Sequence, residues 1–234
     1  MEWRIHHKVK TDSTNLDARG GSPGDVFTAD FQTAGRGRLD HKWLSPQGAN
    51  LTMSVVLPIA ELSPDHLATL PLVAGLAVVR AVSRLAPDAA PMLKWPNDVL
   101  IGGRKVCGIL CERIGDQVIV GIGVNVKRWK FPPELASRAT SLCDAVGFCG
   151  GVDEVRDLVL DEIGKLFCRW SANGFATLWP EISTVDFLRG KSISVAQTDG
   201  DDMPISGVCG GILGNGSLDV GGIAVYAGEA HVVC

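Results

Sequence analysis

The sequence has few of the features that mark a membrane protein or a nucleic-acid-binding protein. It has no run of about 18 consecutive apolar residues, the length that a membrane-spanning helix needs. The residues after Met1 lack the apolar core of a signal peptide. The 22 Lys and Arg residues are outnumbered by 26 Asp and Glu, so no positive excess exists to bind nucleic-acid phosphates. We therefore expect a cytoplasmic protein that binds neither a membrane nor a nucleic acid.

Closely spaced cysteine pairs are also lacking. The seven cysteines include no Cys-x-x-Cys pair, and they are Cys107, Cys111, Cys143, Cys149, Cys168, Cys209 and Cys234. An odd number in a cytoplasmic chain favours free thiols over a disulfide framework or a metal site. Glycine, by contrast, is abundant at 28 of 234 residues. Because glycine allows tight turns and close approach of the backbone, backbone contacts to a ligand are expected.

The length of 234 residues fits one large domain, or one domain with a small appendage. Apolar alternation predicts strands at 27–32 and 51–57 and a hairpin from 108–112 and 118–126. Helical spacing predicts a helix from Pro64 to Leu85, kinked or split at Pro71, and a second helix over 153–170. After Phe187 the apolar runs become short and glycine-separated, which predicts a small all-β unit. The expected division is therefore 1–187 and 188–234.

The strongest local motif is the glycine and arginine loop from Gln32 to Trp43. Gly35 and Gly37 allow a tight turn that presents backbone N–H groups, and Arg36 and Arg38 flank them with forked donors. Such a loop is suited to binding a phosphate or carboxylate group. The motif lacks the lysine and hydroxyl of a P-loop. A solvated surface loop that happens to contain two arginines is the alternative.

A second motif, 94–98, places Lys94 close to Asn97 and Asp98, whose side-chain oxygens suit Mg²⁺. A Pro-Asn-Asp sequence is also typical of a simple turn. Lys105 follows a predicted tight turn at 102–103. It lies either in a cleft or at the solvated end of a hairpin.

Two further motifs have open interpretations. The alternating glycines of 121–126 leave one face of a strand bare, so that a flat ligand, a bulge or a closely packed helix would fit there. Asp12 to Asn15 reads as the start of a short helix, with hydroxyl and amide groups that suit a neutral polar head group.

The order of these motifs resembles the biotin protein ligases, closely over 11–126 and in outline beyond. The segments that carry the resemblance are 12–15, 32–43, 45–46, 50–51, 94–98, 105–112 and 121–126. The resemblance is to the ligase-only type, which has no N-terminal DNA-binding domain. It implies an α+β fold: a catalytic domain like that of class II aminoacyl-tRNA synthetases, with a mixed sheet, followed by a small SH3-like all-β barrel.

The resemblance implies an ATP-dependent biotin protein ligase that uses Mg²⁺. The enzyme would make biotinyl-5'-AMP and transfer biotin to a lysine of a biotin carboxyl carrier protein. Lys105 and Arg38 would be catalytic. The implied biotin-binding residues are Ser13, Thr14, Asn15, Gln32, Gly35, Arg36, Gly37, Arg38, Trp43, Lys105, Gly108 and Ile109. The implied nucleotide-binding residues are Arg36, Arg38, Lys94, Asn97 and Asn125, and the metal-binding pair is Asn97 and Asp98.

Two departures from the family pattern keep alternatives open. His41 stands where the family usually has arginine, and Gly211-Ile212-Leu213 stands where the family tends to show Gly-Ile-Asp. One alternative is a relative that activates lipoate or another acyl acid. The other is a non-catalytic binding protein of the same fold.

Overall fold

A seven-stranded mixed sheet forms the larger part of the molecule. The computed structural model describes residues 1–39, 41–59, 62–196 and 203–233. The strands are β1 (Arg4–Thr11), β2 (Asp25–Gln32), β3 (Asn50–Pro58), β4 (Met92–Lys94), β5 (Asp98–Ile101), β6 (Arg104–Ile114) and β7 (Gln117–Asn125), in the order β1-β2-β3-β7-β6-β5-β4. Strands β1 and β2 are parallel and the other neighbours are antiparallel. The expected α+β class with a mixed sheet is confirmed.

The helices cover this sheet. They are α1 (Thr14–Asp17), α2 (Pro64–Ala68), α3 (Leu70–Leu85), α4 (Pro133–Ala136), α5 (Leu142–Val146), α6 (Val152–Asn173) and α7 (Trp179–Thr184). The predicted split near Pro71 is confirmed, since α2 and α3 separate at Thr69 and Pro71 occupies the first turn of α3. Proline is tolerated there because the first turn has no helical partner for the missing N–H. The helix predicted over 153–170 is present as α6, which extends to Asn173 and ends at Gly174 with φ of 77°.

The main core lies between the sheet and the pair α3 and α6, which pack on each other and on β3. Trp170 of α6 is fully buried and its Nε1 donates to Thr69 Oγ1 at 2.8 Å. By length and composition, Pro64–Leu85 is apolar enough to cross a membrane, but 67% of its apolar window is buried inside the fold. A core helix of a globular domain has the same composition, and α3 packs as one.

A second, smaller sheet follows residue 187. Its strands are β8 (Ser192–Ala196), β9 (Ile205–Ile212), β10 (Leu218–Val220), β11 (Ile223–Val225) and β12 (Glu229–Val232), in the order β11-β10-β9-β8-β12, with every pair antiparallel. The short strands expected after Phe187 are therefore present. The departure at 211–213 leads into a turn, in which Leu213 N donates to Ser217 O at 2.8 Å.

The two sheets are joined by buried hydrogen bonds. The carboxylate of Asp186 accepts from Leu188 N at 3.0 Å and from Ile212 N at 2.8 Å. Trp179 Nε1 donates to Ile212 O at 2.7 Å and Trp95 Nε1 to Gly216 O at 3.1 Å. Because these groups are buried or partly buried, the small sheet is held in a defined position on the larger unit.

The two edges of the large sheet differ. At the β4 edge, Leu93 exchanges backbone hydrogen bonds with Val185 and Phe187, so the chain leading to the second sheet covers that edge. At the other edge, β1 is exposed along almost its whole length. The sequence gives no indication of β1, because charged and histidine side chains replace the usual alternation of strands.

Every cysteine in the described ranges is a free thiol, as expected, and Cys234 lies outside those ranges. Cys107 and Cys209 are buried among apolar side chains. Burial raises the pKa of the Cys209 thiol to about 11, so it packs as a neutral apolar group.

Candidate functional site

A cavity of about 120 Å³ lies where the predicted motifs meet, against β6 and β7 and beneath the loop that follows β2. Predicted site residues that line it are Ser13, Thr14, Asn15, Gln32, Arg36, Gly37, Arg38, Trp43, Lys94, Asn97, Asp98, Lys105, Gly108 and Ile109. Gly35 lines an adjoining depression of about 650 Å³ on the other side of the loop, together with Trp129. The structure therefore brings together motifs that lie up to about a hundred residues apart.

One end of the cavity is a buried polar cluster. Gln32 Oε1 accepts from Thr14 N at 2.8 Å and from Thr14 Oγ1 at 3.1 Å. Because a backbone N–H can only donate, this contact fixes the orientation of the Gln32 amide and leaves its Nε2 as the donor. Ser13 is the N-cap residue directly before α1, yet its hydroxyl makes no capping hydrogen bond within the described chain. The cluster thus offers donors and acceptors of fixed position to a neutral polar group.

Ser54 and Glu112 also belong to this cluster, although no sequence motif assigns either of them a role. Ser54 is fully buried and its Oγ donates to Asn15 Oδ1 at 2.6 Å. Asn15 Nδ2 donates to Glu112 Oε2 at 2.7 Å, and Arg36 Nη1 donates to Glu112 Oε1 at 2.9 Å. Burial opposes ionisation of Glu112, but the Asn15 hydrogen bond and the charge of Arg36 outweigh it and lower its pKa. Ser54 lies in β3, whose sequence is typical of a buried core strand. Only its contacts with Thr14 and Asn15 in the structure identify it as part of the site.

The glycine loop folds back on itself above the cavity. Arg36 and Lys42 form an antiparallel bridge, Gly37 N donates to His41 O at 2.7 Å, and Trp43 N donates to Gly35 O at 3.0 Å. Asp40 lies outside the described residues. The exposed His41 lines the cavity, so the departure at this position falls within the site.

The bare strand face predicted at 121–126 is occupied by protein side chains. A Cβ built on Gly123 would lie 2.7 Å from Trp43 Nε1, and one on Gly108 would lie 3.1 Å from the same ring. A side chain on Gly121 would meet Asn15 instead. The glycines therefore make room for Trp43 and Asn15, which line the cavity together with these sheet residues.

The other end of the cavity is basic. Among the described residues, five Lys and Arg side chains line the cavity, against the carboxylates of Asp98 and Glu229. Lys105 Nζ lies 2.6 Å from Asp98 Oδ1 and 5.9 Å from the centre of the Trp43 ring. The Arg38 guanidinium has neutral partners at 3.4 Å, Asn97 Oδ1 and Gly228 O. Burial lowers its pKa, and the charges of Asp98 and Glu229 oppose that effect. Partly desolvated cations of this kind suit a ligand with negative charge.

The small sheet contributes to the site, which the sequence analysis does not anticipate. Gly228 precedes β12 and Glu229 begins it, and both approach Arg38 although they lie some 190 positions further along the chain. No motif links these residues to the glycine loop. Only the docking of the small sheet on the large one brings them together.

Asn125 lies at the end of β7, apart from the lining of the cavity. Its side chain is 4% exposed, receives a hydrogen bond from Asn50 at 2.9 Å and donates to Thr140 O at 3.0 Å. It lines neither the cavity nor the adjoining depression. Its position at the end of β7 turns the amide towards Asn50 and Thr140, and its assignment to the nucleotide stays a prediction. No group of three or more His, Cys, Asp or Glu residues that could hold a metal occurs in the described ranges.

Comparison with known proteins agrees with this arrangement. The model of the biotin/lipoate A/B protein ligase family matches residues 7–125. A biotin–[acetyl-CoA-carboxylase] ligase of Mycobacterium tuberculosis is 34% identical over 242 residues, covering 99% of this chain and 89% of that protein. The ligase of the same name from Paracoccus denitrificans is 35% identical over 184 residues, covering 73% of this chain and 75% of its own.

A solved structure matches the whole fold. The biotin protein ligase from Aquifex aeolicus in complex with biotin and ATP has a TM-score of 0.87 and 30% sequence identity. The match covers 98% of this chain and 99% of that one. With the motifs gathered around one cavity, these matches establish that the chain belongs to the biotin/lipoate A/B protein ligase family.

Proposed function

We propose that this protein is an ATP-dependent biotin protein ligase that makes biotinyl-5'-AMP and transfers biotin to a lysine of a biotin carboxyl carrier protein. The observation that carries the proposal is a single cavity in which the hydrogen-bonding cluster around Thr14 and Gln32 lies at one end and the basic side chains Arg38 and Lys105 lie at the other. Biotin has a neutral ureido ring at one end and a carboxylate at the other. Its two ends therefore match the two ends of the cavity.

The polar cluster favours biotin over lipoate. A ureido group has two N–H donors and one carbonyl acceptor, and Ser13, Thr14 and Gln32 supply partners for such groups. The dithiolane ring of lipoate has no such donors or acceptor. It would leave the Ser13 hydroxyl and Gln32 Nε2 without a ligand partner, at a cost of about 1–3 kcal/mol each. Asn15 and Trp43 complete the proposed biotin site, with Gly108 and Ile109 on the sheet side and the loop residues Gly35 to Arg38 above.

The basic end suits the reacting groups. In the first step the biotin carboxylate oxygen attacks the α-phosphorus of ATP, and pyrophosphate leaves. Both reactants are anions, so Arg38 and Lys105 would reduce their repulsion and stabilise the charge that develops on phosphorus. Lys94, Arg36 and Asn97 are assigned to the nucleotide. Asn125 is also assigned to the nucleotide-binding side of the site. Because its amide is held by Asn50 and Thr140, we assign it a role in supporting the residues that contact the nucleotide.

Asn97 and Asp98 offer one amide oxygen and one carboxylate, and Lys105 lies against that carboxylate. Mg²⁺ usually keeps several water molecules and is held by one or two carboxylates together with nucleotide phosphates. The pair therefore fits an ion that enters with ATP. Bound there, Mg²⁺ would neutralise phosphate charge.

In the second step the ε-amine of the carrier lysine attacks the acyl carbonyl of the adenylate, AMP leaves and the amine loses a proton. The mixed anhydride is already activated, so positioning and exclusion of water by the loop would do most of the work. No protein nucleophile is required.

The proposal extends to the finer classification of the fold. We assign residues 1–187 to a catalytic domain like those of class II aminoacyl-tRNA synthetases and residues 188–234 to an SH3-like barrel. The antiparallel sheet β8–β12 supports the second assignment. Free thiols fit a reducing compartment, so we place the activity in the cytoplasm.

ATP–pyrophosphate exchange tests the proposal. Exchange is expected with biotin and not with lipoate or octanoate, and transfer to a carrier domain is detected with streptavidin. Lys105→Ala should lower the exchange rate about 100-fold, since it removes a charge that stabilises the transition state. Lys165→Ala, which removes a lysine of α6 paired with Asp161, is the matched control and should leave the rate unchanged. Exchange with lipoate alone, or with no acid tested, would refute the proposal.

A further inference from the structure

A continuous row of hydrogen bonds runs from the polar end of the cavity to the glycine loop. Thr14 and Asn15 both contact the Ser54 hydroxyl, at 2.8 and 2.6 Å. Asn15 then donates to Glu112, and Glu112 accepts from Arg36 of the loop. Glu112 is therefore the residue at which the row passes from the buried cluster to the loop.

The two oxygens of Glu112 have different partners. Oε2 accepts from Asn15, whereas Oε1 faces Arg36 at 2.9 Å and Arg19 at 3.4 Å. The Asn15 amide has one possible orientation, because Ser54 donates to its Oδ1 and an ionised carboxylate can only accept from its Nδ2. Gly121 leaves the space that Asn15 needs. The Glu112 side chain is 18% exposed, against 42% for Arg36, so the carboxylate is the anchored partner of the pair.

We infer that Glu112 is a positioning residue that couples occupancy of the polar end of the cavity to closure of the glycine loop. A ligand that contacts Asn15 would further stabilise the orientation that Ser54 and Glu112 give this side chain. It would thereby also stabilise the carboxylate that holds Arg36 and the loop over the ligand. Loss of the carboxylate would leave the cavity intact and release the loop. The inference rests on the proposed function only in naming biotin as the ligand that contacts Asn15.

Limited proteolysis with trypsin measures loop closure, because Arg36, Arg38 and Lys42 are cleavage sites. The variant Glu112→Gln keeps an oxygen for Asn15 and removes the charge that holds Arg36. In the absence of ligand its loop should be cleaved about threefold faster than that of the wild-type protein, the effect expected for a partly exposed ion pair. Asp161→Asn, which removes a carboxylate paired with Arg84 and Lys165 on α6, should cleave at the wild-type rate.

Biotin supplies the second measurement. It should slow loop cleavage about tenfold in the wild-type protein and about twofold in Glu112→Gln. The biotin affinities of the two proteins, measured by calorimetry, should differ by less than about threefold. In single-turnover assays the variant should release more biotinyl-adenylate into solution before transfer. A purely structural role would lower affinity and protection together and would leave adenylate retention unchanged.

The outcomes separate the inference from the function on which it rests. Equal cleavage of ligand-free wild-type protein and Glu112→Gln would overturn the inference, whether or not biotin binds. Full protection of Glu112→Gln by biotin would also overturn it. Failure of biotin to bind the wild-type protein, with faster cleavage of the ligand-free variant, would refute the proposed function and leave the link between Glu112 and the loop in place.

Discussion

At the residue scale, the site depends on glycines, which leave space for neighbouring side chains, as much as on residues that contribute side chains. Gly108 and Gly123 lie beside each other on β6 and β7, and both face the ring of Trp43. Neither has a positive φ, so the backbone there would accept any residue. The absence of a side chain is therefore explained by the indole that lies against the sheet.

Gly123→Ala should displace Trp43 and weaken biotin binding about tenfold, because overpacking at a well-packed contact costs about 1–3 kcal/mol. Isothermal titration calorimetry with biotin measures the effect. Gly164→Ala is the control, since its Cβ would meet Trp3 at an ordinary 3.7 Å in the middle of α6. The control should bind biotin normally and gain a little stability. Unchanged biotin affinity in Gly123→Ala would contradict the role given to Trp43.

The pKa of Glu112 gives a prediction about pH. Because its pKa in the folded protein is lowered below the ordinary 4.5, its stabilising contacts are present above that value and are lost as the pH falls through the folded pKa. The free energy of unfolding of wild-type protein should therefore exceed that of Glu112→Gln by a constant amount from pH 8 to about pH 5. The difference should shrink at lower pH, where a protonated carboxyl resembles the amide. Urea unfolding over a pH series measures it, and a difference that grows in acid would contradict the assignment.

At the scale of elements, the sequence predicts the helices and strands that have a repeating apolar pattern. It does not predict the strands whose conformation depends on pairing with distant parts of the chain. The helices α3 and α6 and the hairpin β6–β7 follow from the spacing of their apolar residues, most of which are buried in the core. Strand β1 has no such spacing, and β4 and β5 are too short to show a period. Their strand conformation depends on neighbours that the local sequence does not contain.

The packing of α3 on α6 leads to a stability prediction. Trp170→Ala should lower the free energy of unfolding by about 3–5 kcal/mol, because it opens a large cavity in the core. Trp170→Phe keeps a ring and loses the hydrogen bond to Thr69, so a smaller loss of about 1–2 kcal/mol is expected. Urea denaturation distinguishes them. Equal losses in the two variants would show that ring packing is not what Trp170 contributes.

At the scale of the whole molecule, the site is assembled by the docking of the second sheet on the first. The sequence predicted the convergence of the motifs from Ser13 to Ile109, because their order resembles a known family and their residue types suit one reaction. It did not predict the approach of Gly228 and Glu229 to Arg38. That approach depends on the connection around Asp186, which carries no recognisable motif.

Asp186→Ala should therefore affect stability and activity together. It removes the acceptor for two backbone N–H groups, Leu188 and Ile212, at a cost of about 2–4 kcal/mol. It should also slow ATP–pyrophosphate exchange, because the small sheet would no longer hold its position next to Arg38. Asp219→Asn, which alters a turn contact with Gly222 inside the small sheet, should reduce stability slightly and leave exchange unchanged. Full exchange activity in folded Asp186→Ala would contradict a role for sheet docking.

The unequal edges of the large sheet bear on how copies of the protein behave at high concentration. Uncovered edge strands invite a second chain to add its own strand, and lysines on such a strand discourage that addition. The covered β4 edge is protected by its own chain, whereas β1 carries Arg4, Lys8 and Lys10 on exposed backbone. Arg4 and Lys8 form ion pairs with Asp25 and Asp17, so an added strand would have to remove these pairs and the charge of Lys10 from water. The positions that make the strand hard to recognise in the sequence therefore also oppose aggregation.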